Sequence, residues 1–348
     1  MVEVIVSPLL KRQSTTRLRQ RAAQLNKWKE YNNDSWLKGF GMICLKIIQR
    51  RFLYQPLIVV VLNAFGVALV AEIVGIEREV WNVGTDVTLG LGTPLALLLA
   101  FRLNTSYARW WEGRLLWGRL LEDSRSIITG LVAASTSDAA DATSAASATQ
   151  EIAGWCLAFA TTLRVHVGHH SKADSELAED LNEYLAQPAL DELSRWREGH
   201  HAPLQALGRL RRTVARFVDE RRLASGGTDS SSLVALETFL FSQTEDLHQV
   251  LSGIERLLRT PSPPGYVAIL RWAIFSFLAV LPFVLLEVGF GMVPVVAVTA
   301  LIMLGTEDVA VQLEVPFGND SNDLPLDSYC TGLNADLTEL LAGADIGA

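Results

Sequence analysis

The chain has 348 residues, of which 49% are hydrophobic and only 20% charged, with a formal net charge of -8. Soluble domains carry about 25% charged residues; here the missing charge is concentrated in long gaps, which excludes an ordinary soluble enzyme, and the acidic balance argues against a nucleic-acid partner. Three scattered cysteines, Cys44, Cys156 and Cys330, form no CxxC pair, so a disulfide framework or a thiolate metal knuckle is excluded as well.

The segment 1–52 has no secretory apolar region and is basic and poor in acid near its start (KRQSTTRLRQRAAQLNKWK). It reads either as a residual organellar targeting peptide or as a cytoplasmic amphipathic helix. Twenty uncharged residues then separate Arg51 from Glu72, and 19 separate Glu287 from Glu307. At about 1.5 Å per residue each run spans roughly the 30 Å of a bilayer core. Weaker apolar partners flank them: VTLGLGTPLALLLAF after Asp86, and Tyr266 to Leu286, interrupted by Arg271 alone. Four spans are therefore expected at about 53–75, 87–107, 265–286 and 292–312. Short links at Glu77–Asp86 and Glu287–Val293 pair them into two hairpins, 53–107 and 265–312.

Lys46, Arg50, Arg51, Arg109, Arg114, Arg119, Arg256 and Arg259 lie at the ends opposite the hairpin links. The positive-inside bias then places the N-terminus, the region 108–264 and the segment 313–348 on the cytoplasmic or equivalent side. Within 108–264, Trp110, Trp111, Leu115, Leu116, Leu120, Leu121, Ile127 and Ile128 recur at helical spacing, so the second span is expected to continue as one long helix. Residues 133–150 lose every large apolar side chain and read as a linker. Helical patterns resume in EIAGWCLAFATTLRV, ELAEDLNEYLAQPALDELSRW, LGRLRRTVARFVDERRL and LVALETFLFSQTEDLHQVLSGIERLLR. The expected class is an all-α membrane protein, four transmembrane helices plus a cytoplasmic helical bundle. His166, His169 and His170 could belong to a metal site only with ligands from another element; otherwise they decorate a solvated helix end.

Two strings are specific: FRLNTSYARWWEGRLLWGRLLEDSR at 101–125 and EVPFGNDSNDLPLD at 314–327. With the two-hairpin layout they resemble the bestrophin family of anion channels, in particular its bacterial and algal branch, over about residues 40–335. That branch shows F-R-x-N-x-[ST/A]-Y-x-R-[FW]-W-E-[GA]-R after the second span and P-F-G-x-D-x-N-D-L-P-x-D after the fourth; TPSPPGYV before the third span is similar to its Pro-rich entry there. The resemblance implies a homopentamer around an anion pore. Its neck would be lined by Thr93, Leu97 and Phe101, anchored by Pro94, and these positions at i, i+4 and i+8 share one helix face. Thr93 and Leu97 stand where the family often has bulkier rings, which implies a more permissive neck. Without the resemblance, Leu97 and Phe101 would read as ordinary interhelix packing.

Arg102, Asn104, Arg109, Glu112 and Arg114 fall at the inner mouth, where ionisable groups are functional candidates. Arg109 and Glu112, at i and i+3, are expected to brace each other as an ion pair, and Trp110 and Trp111 to anchor at the interface or in the bundle. A wider vestibule aperture is implied near Ala235. Gln312, Asp320 and Asp323 match positions that contribute to a calcium clasp in animal members, which makes Ca2+ one reading of the loop. An Asx-rich turn hydrogen-bonded to its own backbone is the other. The sequence lacks the longer acidic run of animal members and has Val315 where Asn commonly precedes Pro-Phe-Gly.

The expected function is passive conduction of monovalent anions, chloride and with it nitrate or bicarbonate, by a multi-pass protein of the plasma membrane or an organellar membrane. Its partners would be further copies of itself, small anions and the lipid bilayer, with no nucleic acid. No P-loop, nucleophile elbow or HExxH string supports an enzyme. A cation channel of the same fold and a non-conducting scaffold are the alternatives.

Overall fold

The computed structural model describes residues 15–25, 51–74, 85–135, 142–168, 179–196, 201–224 and 230–347. Among these there are helices and turns and no strands. We label the helices α1 (15–25), α2 (Arg51–Val74), α3 (Thr85–Ser135), α4 (Ala142–His166), α5 (Gln187–Trp196), α6 (Ala202–Ala224), α7 (Ser231–Arg259), α8 (Pro264–Val284), α9 (Met292–Glu314) and α10 (Leu326–Gly347). The chain divides into two compact units, one of Asn32–Trp111 with Thr260–Pro316, the other of Met1–Tyr31, Glu112–Arg259 and Phe317–Ala348.

The first unit contains α2, the start of α3, α8 and α9. Val60 and Ala64 of α2, Leu95 and Leu99 of α3, Leu270, Ile274, Leu278 and Leu281 of α8, and Val296 and Ala300 of α9 form its buried core. The opposite faces are also apolar: Ile58, Leu62, Phe65 and Ile73 on α2, Ile269 and Trp272 on α8, and Val298 and Ile302 on α9 are all exposed. Helices that are hydrophobic all round belong in a membrane or a larger interior. Leu53–Val74, Pro264–Val284 and Leu286–Glu314 are long and apolar enough to cross a bilayer. The helix expected over 87–107 does form as part of α3, but it is not among those three. Gly90, Gly92, Thr93, Pro94, Arg102 and Asn104 dilute its apolar run.

The hinge between α8 and α9 is a 3₁₀ turn, Leu286–Gly291. Gly289 sits there at φ +60° and ψ −139°, a region that a β-carbon would make costly. The other hairpin link, at 75–84, and most of the N-terminal segment, including Cys44, lie outside the described residues.

The second unit is a helical bundle with a conventional core. Trp117, Leu120, Ile127 and Ile128 of α3, Ile152, Cys156 and Phe159 of α4, Leu207, Leu210 and Val214 of α6, Leu240, Leu247 and Ile254 of α7, and Leu333 and Leu337 of α10 are buried. Arg164 of α4 is buried and bonded to Asp327 of α10 at 2.6 Å, and Tyr184 Oη donates to Asn334 Oδ1 at 2.8 Å. The basic N-terminal stretch provides α1, an element of this bundle: Arg19 pairs with Asp336 and Glu339, Arg21 with Asp180, and Ser328 Oγ donates to the Ala22 carbonyl.

The stretch 133–150, expected as a linker, is mostly helical, because α3 runs to Ser135 and α4 begins at Ala142. Alanine is the best helix former, so the loss of large apolar residues does not by itself break a helix. Thr149 returns its hydroxyl to the Ala145 carbonyl at 2.7 Å. Within the helical pattern over 176–196, Leu181–Glu183 is a 3₁₀ turn, and α5 starts at Gln187 with Pro188 in its first turn, a position that suits proline's missing N–H.

Candidate functional site

The proposed neck lies in the first unit on α3. Leu95, Leu99, Arg102 and Ser106 are buried, whereas Thr93, Leu97, Phe101 and Asn104 are exposed. The helical repeat thus divides α3 into a packed face and a bare one, and every residue expected in the neck is on the bare one. That face carries no charge between Leu91 and Asn104. Pro94 removes the helical hydrogen bond to the Gly90 carbonyl, loosening the helix just before the stripe begins.

Arg102, one residue after the stripe, points the other way. Its side chain is 1% exposed and spreads over three partners: Nε to Glu307 at 3.3 Å, Nη2 to Glu314 at 2.6 Å and Nη1 to Ser262 Oγ at 3.0 Å. Glu307 also accepts from Arg271 Nε at 3.0 Å, and Glu314 accepts from the Ser262 amide at 2.6 Å. Two guanidinium groups and two carboxylates therefore compensate one another, which buried charge requires. Arginine suits this position because its planar fork serves several acceptors at fixed angles. Arg102 was a sequence-level candidate; Glu307, Glu314 and Ser262 were not singled out, although Glu307 ends an uncharged run and Glu314 opens a specific motif. Arg271, the lone charge in its span, gains its explanation from Glu307.

Arg109 and Glu112, expected to brace each other, each have a long-range partner. Arg109 donates from Nη1 to the Thr260 carbonyl at 2.7 Å and from Nε to the Glu314 carbonyl at 3.1 Å, tying α3 to the ends of the second hairpin. Glu112, in the other unit, pairs with Arg256 of α7. Both residues brace helices through long-range partners. Tyr107, Trp110 and Trp111 stack with centroids 5.9 to 6.5 Å apart, and Tyr107 and Trp111 are about half exposed. Arg114 lies over the Tyr329 ring at 5.3 Å.

In the Asx-rich loop Asp323 is buried, and its Oδ2 accepts from the Asp320 amide while its own amide donates to the Asp320 carbonyl at 3.2 Å. Gly318 at φ +147° admits this closure, since a β-carbon there would stand 3.0 Å from Asp323 Oδ2. Gln312 in the other unit is buried and gives Nε2 to Asp308 Oδ2 at 2.7 Å. Such a turn fastened to its own backbone already commits a carboxylate oxygen that calcium would need. Ala235 is exposed on the first turns of α7, beside exposed Val234 and Thr238. Of the histidines expected together, His169 and His170 lie outside the described residues; His166 meets His201 and Glu255.

Three comparisons with known proteins bear on this arrangement. A family model described as Bacterial/Fungal Bestrophin protein matches residues 27–339. The voltage-dependent anion channel-forming protein YneE of Escherichia coli is 31% identical over 259 residues, 74% of this chain and 77% of that one. A voltage-dependent anion channel-forming protein of Ralstonia nicotianae is 30% identical over 267 residues, 76% and 80% of the two chains. Among solved structures, a bacterial bestrophin homolog from Klebsiella pneumoniae superposes with a TM-score of 0.65 at 25% identity, covering 83% of this chain and 98% of its own.

Proposed function

The chain belongs to the bestrophin family and is an integral membrane protein of the channel kind, and from that premise we propose that five copies surround a pore conducting monovalent anions down their electrochemical gradient. The observation that carries this reading is the uncharged stripe of Thr93, Leu97 and Phe101, bare on α3 while the opposite face is packed. In a single chain such a stripe is exposed; around a five-fold axis it becomes three stacked rings. Four spans in two hairpins would bring α2, the start of α3, α8 and α9 across the bilayer.

An uncharged neck conducts by staying wide enough to be wetted, and its barrier is the partial dehydration of the ion. The Phe101 ring edges carry partial positive charge toward an anion. Weak binding favours exit as much as entry, which a ring of lysines would hinder. Asn104, on the same face, offers an amide at the inner mouth. The quartet of buried Arg102 and Glu307, partly buried Glu314 and exposed Arg271 is compensated internally, so it holds α3 against α8 and α9 without placing net charge in the path. Exposed Ala235, a small side chain, suits the wide vestibule aperture. The names of the relatives support anions as the cargo.

The test is recording from purified protein in liposomes or planar bilayers under an asymmetric salt gradient. Anion conduction places the reversal potential on the chloride side and moves it when nitrate replaces chloride. Reversal on the cation side would replace this reading with a cation channel, and absence of current with a scaffold. Leu97→Ala and Phe101→Ala should each raise single-channel conductance about twofold or more by widening an apolar constriction; unchanged conductance in both would remove these residues from the neck.

A further inference from the structure

In the helical bundle, remote in sequence from the neck, three side chains converge that the conduction reading does not use. His166 ends α4, His201 directly precedes α6, and Glu255 lies near the end of α7. His166 Nε2 is 3.4 Å from Glu255 Oε1, His201 Nε2 is bonded to the same oxygen, and the two imidazole centroids are 4.6 Å apart. One ligand atom from each of the three lies within 4.8 Å of the others. We infer that His166, His201 and Glu255 form a binding site for a divalent transition-metal ion of the zinc class, with its remaining position open to water.

The geometry fits the chemistry. Zinc bonds of about 2.0–2.1 Å to nitrogen and oxygen in a tetrahedral site put neighbouring ligand atoms roughly 3.3 Å apart; the His166–Glu255 separation is 3.4 Å. Two imidazoles and one carboxylate with a vacant corner is a donor set zinc uses, whereas calcium and magnesium ask for oxygen alone. All three residues are partly exposed, so an ion has access.

Two interactions compete with the ion. The Leu204 amide donates to His201 Nδ1 at 3.3 Å, which leaves the ring proton on Nε2, facing Glu255. Loading moves that proton to Nδ1 and gives up a long hydrogen bond at an exposed helix start. Arg259 Nη2 stands 3.7 Å from Glu255 Oε2 and opposes a cation there. Removing that arginine should therefore tighten binding. A bound ion would join the end of α4, the start of α6 and the end of α7, which leads through Thr260 into the Pro-rich entry to α8.

The test is isothermal titration of the purified, detergent-solubilised full chain with zinc chloride in chelator-washed buffer, together with the visible spectrum of the cobalt(II)-loaded protein. One zinc per chain and a tetrahedral cobalt spectrum are expected. His166→Ala, His201→Ala and Glu255→Gln should each weaken zinc binding at least about 10-fold and bleach the cobalt bands. Arg259→Ala should strengthen it, and His248→Ala on the same helix as Glu255 should leave it unchanged. Circular dichroism separates loss of a ligand from loss of fold, and Glu255→Gln keeps the shape of the side chain. No zinc uptake by the unmodified chain, or unaltered affinity in folded His166→Ala and Glu255→Gln proteins, overturns the assignment. Neither readout depends on ion conduction.

Discussion

Replacing Arg102 by methionine tests the buried charge network most directly. Methionine keeps the length of the side chain and removes the guanidinium that serves Glu307, Glu314 and Ser262. Breaking a buried pair from one side costs about 3–5 kcal/mol, because a carboxylate is left without its partner. Here Glu307 keeps Arg271 at 3.0 Å and Glu314 keeps the Ser262 amide at 2.6 Å. The lower end of the range, about 3 kcal/mol, is therefore expected. At about 2–4 °C per kcal/mol this lowers the unfolding midpoint by roughly 6–12 °C. Tryptophan fluorescence during heating in detergent reads the change. Arg102→Lys should fall between, since an ammonium cannot serve three directions as a fork does. In the Arg102→Met, Glu307→Gln double variant the loss should be smaller than the sum of the single losses by about 0.5–3 kcal/mol. A midpoint within about 2 °C of the unmodified chain for Arg102→Met, or strict additivity in the cycle, would refute the network.

The bundle offers independent tests. Burial, with Asp246 and Glu122 adding to it against Arg119, raises the Asp123 carboxyl to about 6. A raised folded-state pKa means the folded chain binds that proton more tightly, so this residue's contribution to stability falls as pH rises from about 4 through 6. Asp123→Asn should be the more stable protein at pH 7 and should lose that slope in a series of melts across pH. Gly154→Ala should lower the midpoint by several degrees, because the new β-carbon would stand 2.6 Å from Tyr184 Cβ and 2.7 Å from Leu185 Cδ2, an overpacking worth about 1–3 kcal/mol. Gly332→Ala, with nothing within 4 Å, should be neutral or stabilising. Cys156 and Cys330 are buried and their thiols pushed up to about 12, so maleimide should label neither until the chain is unfolded; rapid labelling of both in the folded chain would contradict the packing of α4 and α10.

Lipid-facing and core-facing residues are equally apolar in α2, α8 and α9, so the uncharged runs revealed where these helices are but not which face each packs. The Arg102 partners were hidden for a related reason. Glu307 and Glu314 lie more than two hundred positions from Arg102, and no local periodicity joins such groups. The distant carbonyls that Arg109 meets and the Arg256 partner of Glu112 were hidden in the same way. Helix α10 has Cys330, Leu333 and Leu337 at helical spacing on its buried side, a short signal beside the turn-forming residues of the Asx-rich loop that precedes it.

By itself the sequence determined the class: uncharged runs of bilayer length, a helical polar middle and two motifs whose residue order is too specific for chance. Those properties are local, set by hydropathy along the chain and by the 3.6-residue repeat. Tertiary structure decided which side of α3 is bare, which carboxylates neutralise Arg102, that a small-residue stretch is helix, and that His166 meets His201 and Glu255 rather than a neighbour in sequence. Each of these depends on a contact between distant segments, whose energy is gained only when the helices pack.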